Sequence, residues 1–321
     1  MSIYNNHVIS ILEVCFLLLL NDVLKEFKYD MEIRNLTPRT IKTSYNSTAK
    51  FFKYCKSEFK IEDLEQLNAI HIKSYVAYLQ KLKRSEVYIN SILKYLKSFF
   101  KYCMKEEYIL ERKNPMNKLN WVKERKTLIE TFTDREVYKM LKVWNYKTFY
   151  NARNKAIMAT LIETGIRNLE LCTLQVTSVR DSVIKVVGKG RKERYVPISP
   201  SLKKILIKYE RIRTEYIKDK FITENAYFLS YRGKKLTVEA VERVVKETGK
   251  IANVRKEIRC SPHTCRHYYA QFMLKQNVDI YTVSRLLGHS SIDITKIYLR
   301  SIKDKEIVEM NNMVSPLMIL K

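Results

Sequence analysis

Apolar residues recur every three or four positions from Leu18 to about Tyr108, as in Ile41, Tyr45, Thr48 and Phe52, and again in Ile89, Ile92, Leu93, Leu96, Phe99, Phe100 and Cys103. That spacing places them on one helical face, so the first ~115 residues are expected to be all-helical. Thr37-Pro38 reads as a helix start, with Thr as N-cap and Pro at the first helical position, and Asn114-Pro115 is expected to close the last helix. A small domain of four or five helices over residues 18–116 follows. Ahead of it, residues 8–20 (VISILEVCFLLLL) are apolar but only 13 long, contain Glu13, and have no Lys or Arg before them. A membrane span needs ~20 apolar residues, and a signal peptide needs a basic start and a small-residue cleavage site. The run is therefore expected to be an apolar first helix, with residues 1–17 an N-terminal extension.

Residues 117–131 (NKLNWVKERKTLIET) show no single period and carry Lys118, Lys123, Arg125 and Lys126, the pattern of a basic interdomain linker. Thr133-Asp-Arg-Glu136 then opens a second domain, residues 132–321, as a capping box. Within it, VIKVVGKGRKERYVPI at 183–198 switches to β-branched residues around Gly-Lys-Gly, which predicts a hairpin or small sheet. Helical spacing marks Asn168–Leu174 before it and returns afterwards at Leu202–Lys218, Val238–Thr248, His263–Lys275, Ile280–Leu287 and Thr295–Met310. The expected fold class is mainly α with one small β-sheet in the second domain.

Charge sharpens this picture. Lys and Arg number 60 against 34 Asp and Glu, a formal net charge of +26, spread along the whole chain. A folded polycation of this size needs a polyanion, and nucleic acid is the first candidate because neutralising phosphates releases counterions. Lys alternates with Tyr on two helices (Lys50, Lys53, Tyr54, Lys56; Lys94, Tyr95, Lys97, Lys101, Tyr102), which fits either a DNA-facing surface or a solvated face. The six cysteines form no CxxC pair and lie mostly in apolar periodic stretches, as expected of reduced thiols in a cytoplasmic protein.

Four segments carry candidate chemistry. In TGIRNLELCTL, Gly165 can bend the chain to aim Arg167, and Glu170 can brace that arginine at i, i+3. GKGRKERYVPI places Lys189 between two glycines at the hairpin tip, where Arg191, Lys192 and Arg194 crowd the same turn. In HTCRHYYA, His263 and Arg266 share one helical face at i, i+3 and can serve one phosphate. Cys260, His263, Cys265 and His267 offer a competing zinc reading, but the alternation C-x2-H-x-C-x-H lacks the usual ligand spacing. Finally, LLGHSSIDITKIY ends an apolar helix at Gly288, delivers His289 into a turn, and reaches Tyr298 nine residues later. Tyr298 is one of 22 tyrosines, so its company rather than its type singles it out.

The ordered set Arg167, Lys189, His263, Arg266, His289, Tyr298 closely resembles the phage-integrase family of tyrosine recombinases, the Xer-type enzymes in particular, with transposon-type integrases close by. The resemblance covers nearly the whole chain, since LTPRTIKTSYNSTAKFFKYC and the helices after it resemble the family's helical SAM-like core-binding domain. It implies a catalytic domain of the DNA breaking–rejoining fold. It also implies that Tyr298 attacks the scissile phosphate to give a 3′-phosphotyrosyl link and a free 5′-hydroxyl. Arg167 and Arg266 would grip the non-bridging oxygens, His263 would manage the phenol's proton, and His289 would hydrogen-bond the phosphate. Lys189 would protonate the leaving oxygen and Glu170 would support Arg167.

No cofactor or metal is expected, because the phosphotyrosyl bond conserves the energy for religation. The implied partners are a double-stranded DNA recombination site and three further copies in a homotetramer working through a Holliday junction, with monomers or dimers off DNA and no membrane. The implied role is integration and excision of a mobile element or Xer-like resolution of dimers. The tail at 303–321 is apolar enough to dock on a neighbouring protomer, with packing in cis as the alternative. Two other functions share features of the sequence: a type IB topoisomerase-like or telomere-resolving enzyme, and a catalytically silent DNA-binding accessory protein.

Overall fold

The computed structural model describes residues 18–125, 128–188, 192–218, 220, 222 and 224–299. The extension at 1–17, the tail at 303–321 and Lys189 lie outside the described residues. The chain divides into two compact units, Met1–Lys126 and Thr127–Lys321.

The first unit is built from α1 (Leu20–Ile33), α2 (Pro38–Phe59), α3 (Ala69–Lys81) and α4 (Glu86–Lys105). Each of α2, α3 and α4 starts on a polar cap: Thr37 accepts from the Thr40 N–H, Asn68 from Ile70 and Ser85 from Tyr88. Phe99 sits at the centre of the core, with ring centroids 5.5 Å from Phe27 and 5.2 Å from Phe52, both edge-on. The basic residues Lys50, Lys53, Lys56, Lys94, Lys97 and Lys101 are all exposed.

Two sequence expectations shift here. Leu18 and Leu19 do not continue an apolar helix backwards from α1, and with Leu20 they form a short extended pairing. The partner is residues 62–64, through Leu20 N–H to Glu62 O (2.9 Å) and Leu64 N–H to Leu18 O (2.9 Å). And α4 stops at Lys105, well before Asn114-Pro115. Glu107 adopts a left-handed conformation (φ 60°) that turns the chain back, with Tyr108 N–H reaching Cys103 O at 2.9 Å. Asn114 instead caps a short 3-10 turn, Pro115–Lys118. Beyond it, the Asn90 side chain accepts from the Val122 N–H and donates to the Val122 carbonyl, so this part of the basic segment is anchored to α4.

The second unit runs α5 (Asp134–Lys142), α6 (Phe149–Thr164), α7 (Asn168–Cys172), the antiparallel strands β1 (Val183–Val187) and β2 (Glu193–Pro197), then α8 (Pro200–Ile217), α9 (Val238–Ile251), α10 (Pro262–Lys275), α11 (Ile280–Leu287) and α12 (Asp293–Leu299). The capping box at Thr133 forms in both directions, with Glu136 reaching back to the Thr133 N–H. Helix α6 has apolar residues around its whole circumference, including Ala152, Ala156, Ile157, Met158 and Leu161, all fully buried. It is therefore the central helix, packed against α5, α8, α9 and α10. Ile184, Val186 and Val196 turn one face of the hairpin into the same core.

Candidate active site

The site forms where α6 ends. Gly165 closes α6 in the left-handed region (φ 57°), where a Cβ would stand 2.6 Å from Tyr269 Cδ1, so glycine is required on both counts. The turn presents Arg167 as the residue preceding α7. Glu170, at the third helical position, accepts from the Arg167 N–H (2.8 Å) and from its guanidinium Nη1 (2.9 Å). The other Glu170 partner is Arg194 on β2, whose two terminal nitrogens each donate to one carboxylate oxygen at 2.8 Å. Burial alone would push the Glu170 carboxyl up, but the Arg194 hydrogen bonds and the Arg167 N–H outweigh it and hold its pKa below the usual carboxylate range.

The end of α11 explains how the guanidinium groups are aimed. Its last carbonyls have no partner within the helix and carry the negative end of the helix dipole. Three successive ones accept from three different arginines: Leu286 O from Arg194 Nε (3.0 Å), Leu287 O from Arg266 Nη2 (2.8 Å) and Gly288 O from Arg167 Nη2 (2.7 Å). Arg266 is 3% exposed and also donates from Nη1 to Gly165 O, tying the end of α6 to the end of α11. Burial and then Arg167 push its pKa down to about 10, the mark of a cation short of anionic partners. The Arg167 side chain is still 42% exposed and open to a ligand.

Gly288 (φ 65°) then releases the chain into the turn bearing His289, whose Nδ1 pairs with Thr295 Oγ1 at 2.8 Å. Helix α12 follows and delivers Tyr298, which is 2% exposed. Its hydroxyl pairs with Nδ1 of His267 on α10 at 2.9 Å. The His263 ring lies edge-on against His267 at 4.2 Å, and the His289 ring is parallel to Tyr298 at 6.5 Å. Burial raises the Tyr298 pKa, opposed by Arg266 and Arg167. Burial depresses all three histidines, joined by Arg266 and Arg167 at His263, by His263 and Arg266 at His267, and by Arg266, Arg167 and Arg194 at His289; His267 and His289 are brought to about 4, so those two rings are neutral at neutral pH. Five of the six residues singled out by sequence, together with Glu170, thus converge on one site, and the sixth, Lys189, lies outside the described residues.

The residues of the zinc reading have other contacts. Cys265 is fully buried in the core, Cys260 packs on Gly249, and His267 is engaged by Tyr298. Among the described residues no group of three or more His, Cys, Asp or Glu is arranged to hold a metal.

Two family models match the chain: the phage integrase family over residues 130–305, and the phage integrase N-terminal SAM-like domain over residues 23–110. Tyrosine recombinase XerC of Leptospira interrogans is 32% identical over 295 residues, covering 89% of this chain and 91% of that protein. This chain belongs to the phage integrase family of tyrosine recombinases. XerC of Thermodesulfovibrio yellowstonii is 31% identical over 282 residues, 87% of this chain and 90% of that one. Among solved structures, XerH site-specific recombinase bound to palindromic difH substrate in a post-cleavage complex superposes with a TM-score of 0.73 at 20% identity, over 91% of this chain and 83% of that one. The Tn1549 transposon integrase in complex with a circular intermediate DNA gives 0.69 at 17% identity, over 91% and 99%. Both share the fold of this tyrosine recombinase.

Two residues of the recombinase site were missed by sequence reasoning. Arg194 was only one of several cations crowding the hairpin, yet it is the Glu170 clamp. The inward-facing register of Ile184, Val186 and Val196 was the available signal for which hairpin cation turns toward the body of the unit. His267 was noticed only as a metal ligand. Its position one turn after His263 on the same face was the overlooked sign.

Proposed function

We propose that this chain cleaves and rejoins duplex DNA at specific sites through a 3′-phosphotyrosyl intermediate on Tyr298. One observation carries the reading: Tyr298 stands within the field of Arg167 and Arg266, and of the three guanidinium groups gathered at the end of α11 only Arg167 and Arg194 have a carboxylate partner, which is the single Glu170. Such a surplus of fixed positive charge in a half-dry site suits a phosphodiester, whose charge grows as a fifth oxygen approaches phosphorus. Planar guanidinium groups suit its non-bridging oxygens better than lysine would.

A free phenol has a pKa of ~10, so only about one molecule in a thousand is ionised at neutral pH. Burial makes Tyr298 weaker still as an acid, so attack requires a proton acceptor at the hydroxyl. The His263–His267 pair stands there. As the Tyr298 oxygen bonds to phosphorus, the bond to the 5′-oxygen breaks, and that oxygen takes a proton for which Lys189 is the proposed donor. Arg167 and Arg266 hold the phosphate, His289 hydrogen-bonds it, and Glu170 keeps Arg167 in place. Religation by a 5′-hydroxyl reverses these steps, so the exchange consumes neither ATP nor metal.

The assembly we propose is a homotetramer pairing two sites through a Holliday junction. The related lambda integrase has been solved as a tetramer bound to a Holliday junction. The net charge of +26 supports a DNA partner, with both units on the duplex. Two roles suit this chemistry, integration and excision of a mobile element and resolution of dimers; XerC relatives and a transposon integrase both stand among the similar proteins. No helix among the described residues is long and apolar enough to cross a membrane. We place the enzyme in the cytoplasm, with its DNA.

The test is a nicked suicide substrate from which the cleaved strand cannot be religated. Wild type should accumulate a covalent adduct that resists denaturation. Tyr298→Phe should bind the duplex with unchanged affinity and form none; undiminished adduct in that variant would overturn the assignment.

A further inference from the structure

The hydroxyl of Tyr298 has a specific partner, and it is not the histidine that motif resemblance assigns to the phenol's proton. His267 Nδ1 stands 2.9 Å from the hydroxyl, while His263 lies behind it, ring against ring at 4.2 Å. In the neutral tautomer that carries its proton on Nε2, Nδ1 of His267 accepts from the Tyr298 O–H at this distance, and that tautomer is the one the following step uses. We propose that His267 is a catalytic residue that takes the proton of Tyr298 as the tyrosine oxygen attacks phosphorus. This rests on the reading of Tyr298 as nucleophile.

The O–H bond of Tyr298 breaks as N–H forms at Nδ1; the tyrosine oxygen–phosphorus bond forms as the phosphorus–O5′ bond breaks, and O5′ takes its proton from the separate donor proposed above, Lys189. On religation the imidazolium of His267 returns the proton to the tyrosine oxygen.

The titratable and charged groups facing His267 are His263 and Arg266 from its own helix and Tyr298 from α12, with the His289 ring parallel to that of Tyr298 at 6.5 Å. In the protein without DNA, burial, then His263 and Arg266, lower its proton affinity. A bound phosphate places negative charge against Arg266 and so relieves part of that repulsion at the moment a base is needed.

The experiment uses the full chain and single-turnover cleavage of the nicked suicide substrate at saturating DNA, with His267→Ala, His267→Asn and Tyr298→Phe. Asn keeps a hydrogen-bond acceptor near the place of Nδ1 but cannot hold a proton. At neutral pH, His267→Ala should cleave about 100- to 1,000-fold more slowly than wild type while DNA affinity stays within about threefold. Its deficit should shrink by about tenfold per pH unit as the medium supplies phenolate directly. His267→Asn should remain as slow as His267→Ala.

Cleavage by His267→Ala within about threefold of wild type, restoration of the rate by Asn, or a deficit constant with pH would each overturn the proposal. The two readings fail separately. An adduct formed by Tyr298→Phe removes the nucleophile assignment itself, whereas an inert Tyr298→Phe with innocuous His267 substitutions removes only the role of His267.

Discussion

Both oxygens of Glu170 are held by Arg194, each at 2.8 Å, although one residue lies in the first turn of a helix and the other on a strand 24 positions later. The carboxylate is 5% exposed and is also the partner of Arg167, so it is the counter-charge for two cations at once. Removing it as Glu170→Ala should cost about 3–5 kcal/mol in denaturant unfolding, since a buried cation is left without a partner. Glu170→Gln, which keeps some hydrogen bonding, should cost less.

The same carboxylate sets a pH dependence. Because its pKa is held below the usual carboxylate value, its contribution to stability is fully present above that value and is lost as the pH falls through the lowered one. The stability gap between wild type and Glu170→Gln should therefore close in acid. A gap independent of pH would show that the charge of Glu170 is not what matters.

Gly288→Ala tests the junction between α11 and the His289 turn. The position has φ 65°, and a Cβ there would stand 3.0 Å from Cδ, Cζ and Nε of Arg194. Left-handed strain alone is worth about 1–2 kcal/mol, and relief by moving Arg194 would loosen its grip on Glu170. We expect a loss of about 1–3 kcal/mol in thermal unfolding together with slower strand cleavage.

The histidines should titrate far below the ordinary value of 6.5. Burial, with His263 and Arg266 for His267 and with Arg266, Arg167 and Arg194 for His289, brings both to about 4. Each must charge in order to unfold in acid. Their stability contribution is thus complete above the unfolded value and disappears as the pH drops from 6.5 through about 4. Imidazole resonances followed by NMR should move at about 4 in the free protein and at higher pH when a DNA phosphate is bound.

What the sequence revealed was local. Thr37, Thr133, Gly165 and Gly288 act at helix ends through their own nearest turns, and the i, i+3 pair Arg167–Glu170 lies within one turn, so spacing alone identifies them. The hairpin at 183–198 is equally local. Motif order found Arg167, His263, Arg266, His289 and Tyr298. What escaped depends on long-range contact: Arg167 meets Gly288 across 121 positions, Arg266 meets Gly165 across 101, and His267 meets Tyr298 across 31. No periodicity encodes which carbonyl of α11 receives which arginine. The end of α4 was misplaced for a related reason. Glu107 takes a left-handed turn usually reserved for Gly or Asn, and the Tyr108 hydroxyl's hydrogen bond to Glu26 Oε2 (2.6 Å), which fixes where the chain goes next, spans 82 positions.

The most direct measurement of the central claim is the site of covalent attachment. After cleavage of the suicide substrate, nuclease and trypsin digestion should leave a nucleotide on the short peptide covering residues 297–300, with its mass increment on Tyr298 and attached through a 3′-phosphate. A nucleotide found on any of the other 21 of the 22 tyrosines, or a link through a 5′-phosphate, would contradict the account.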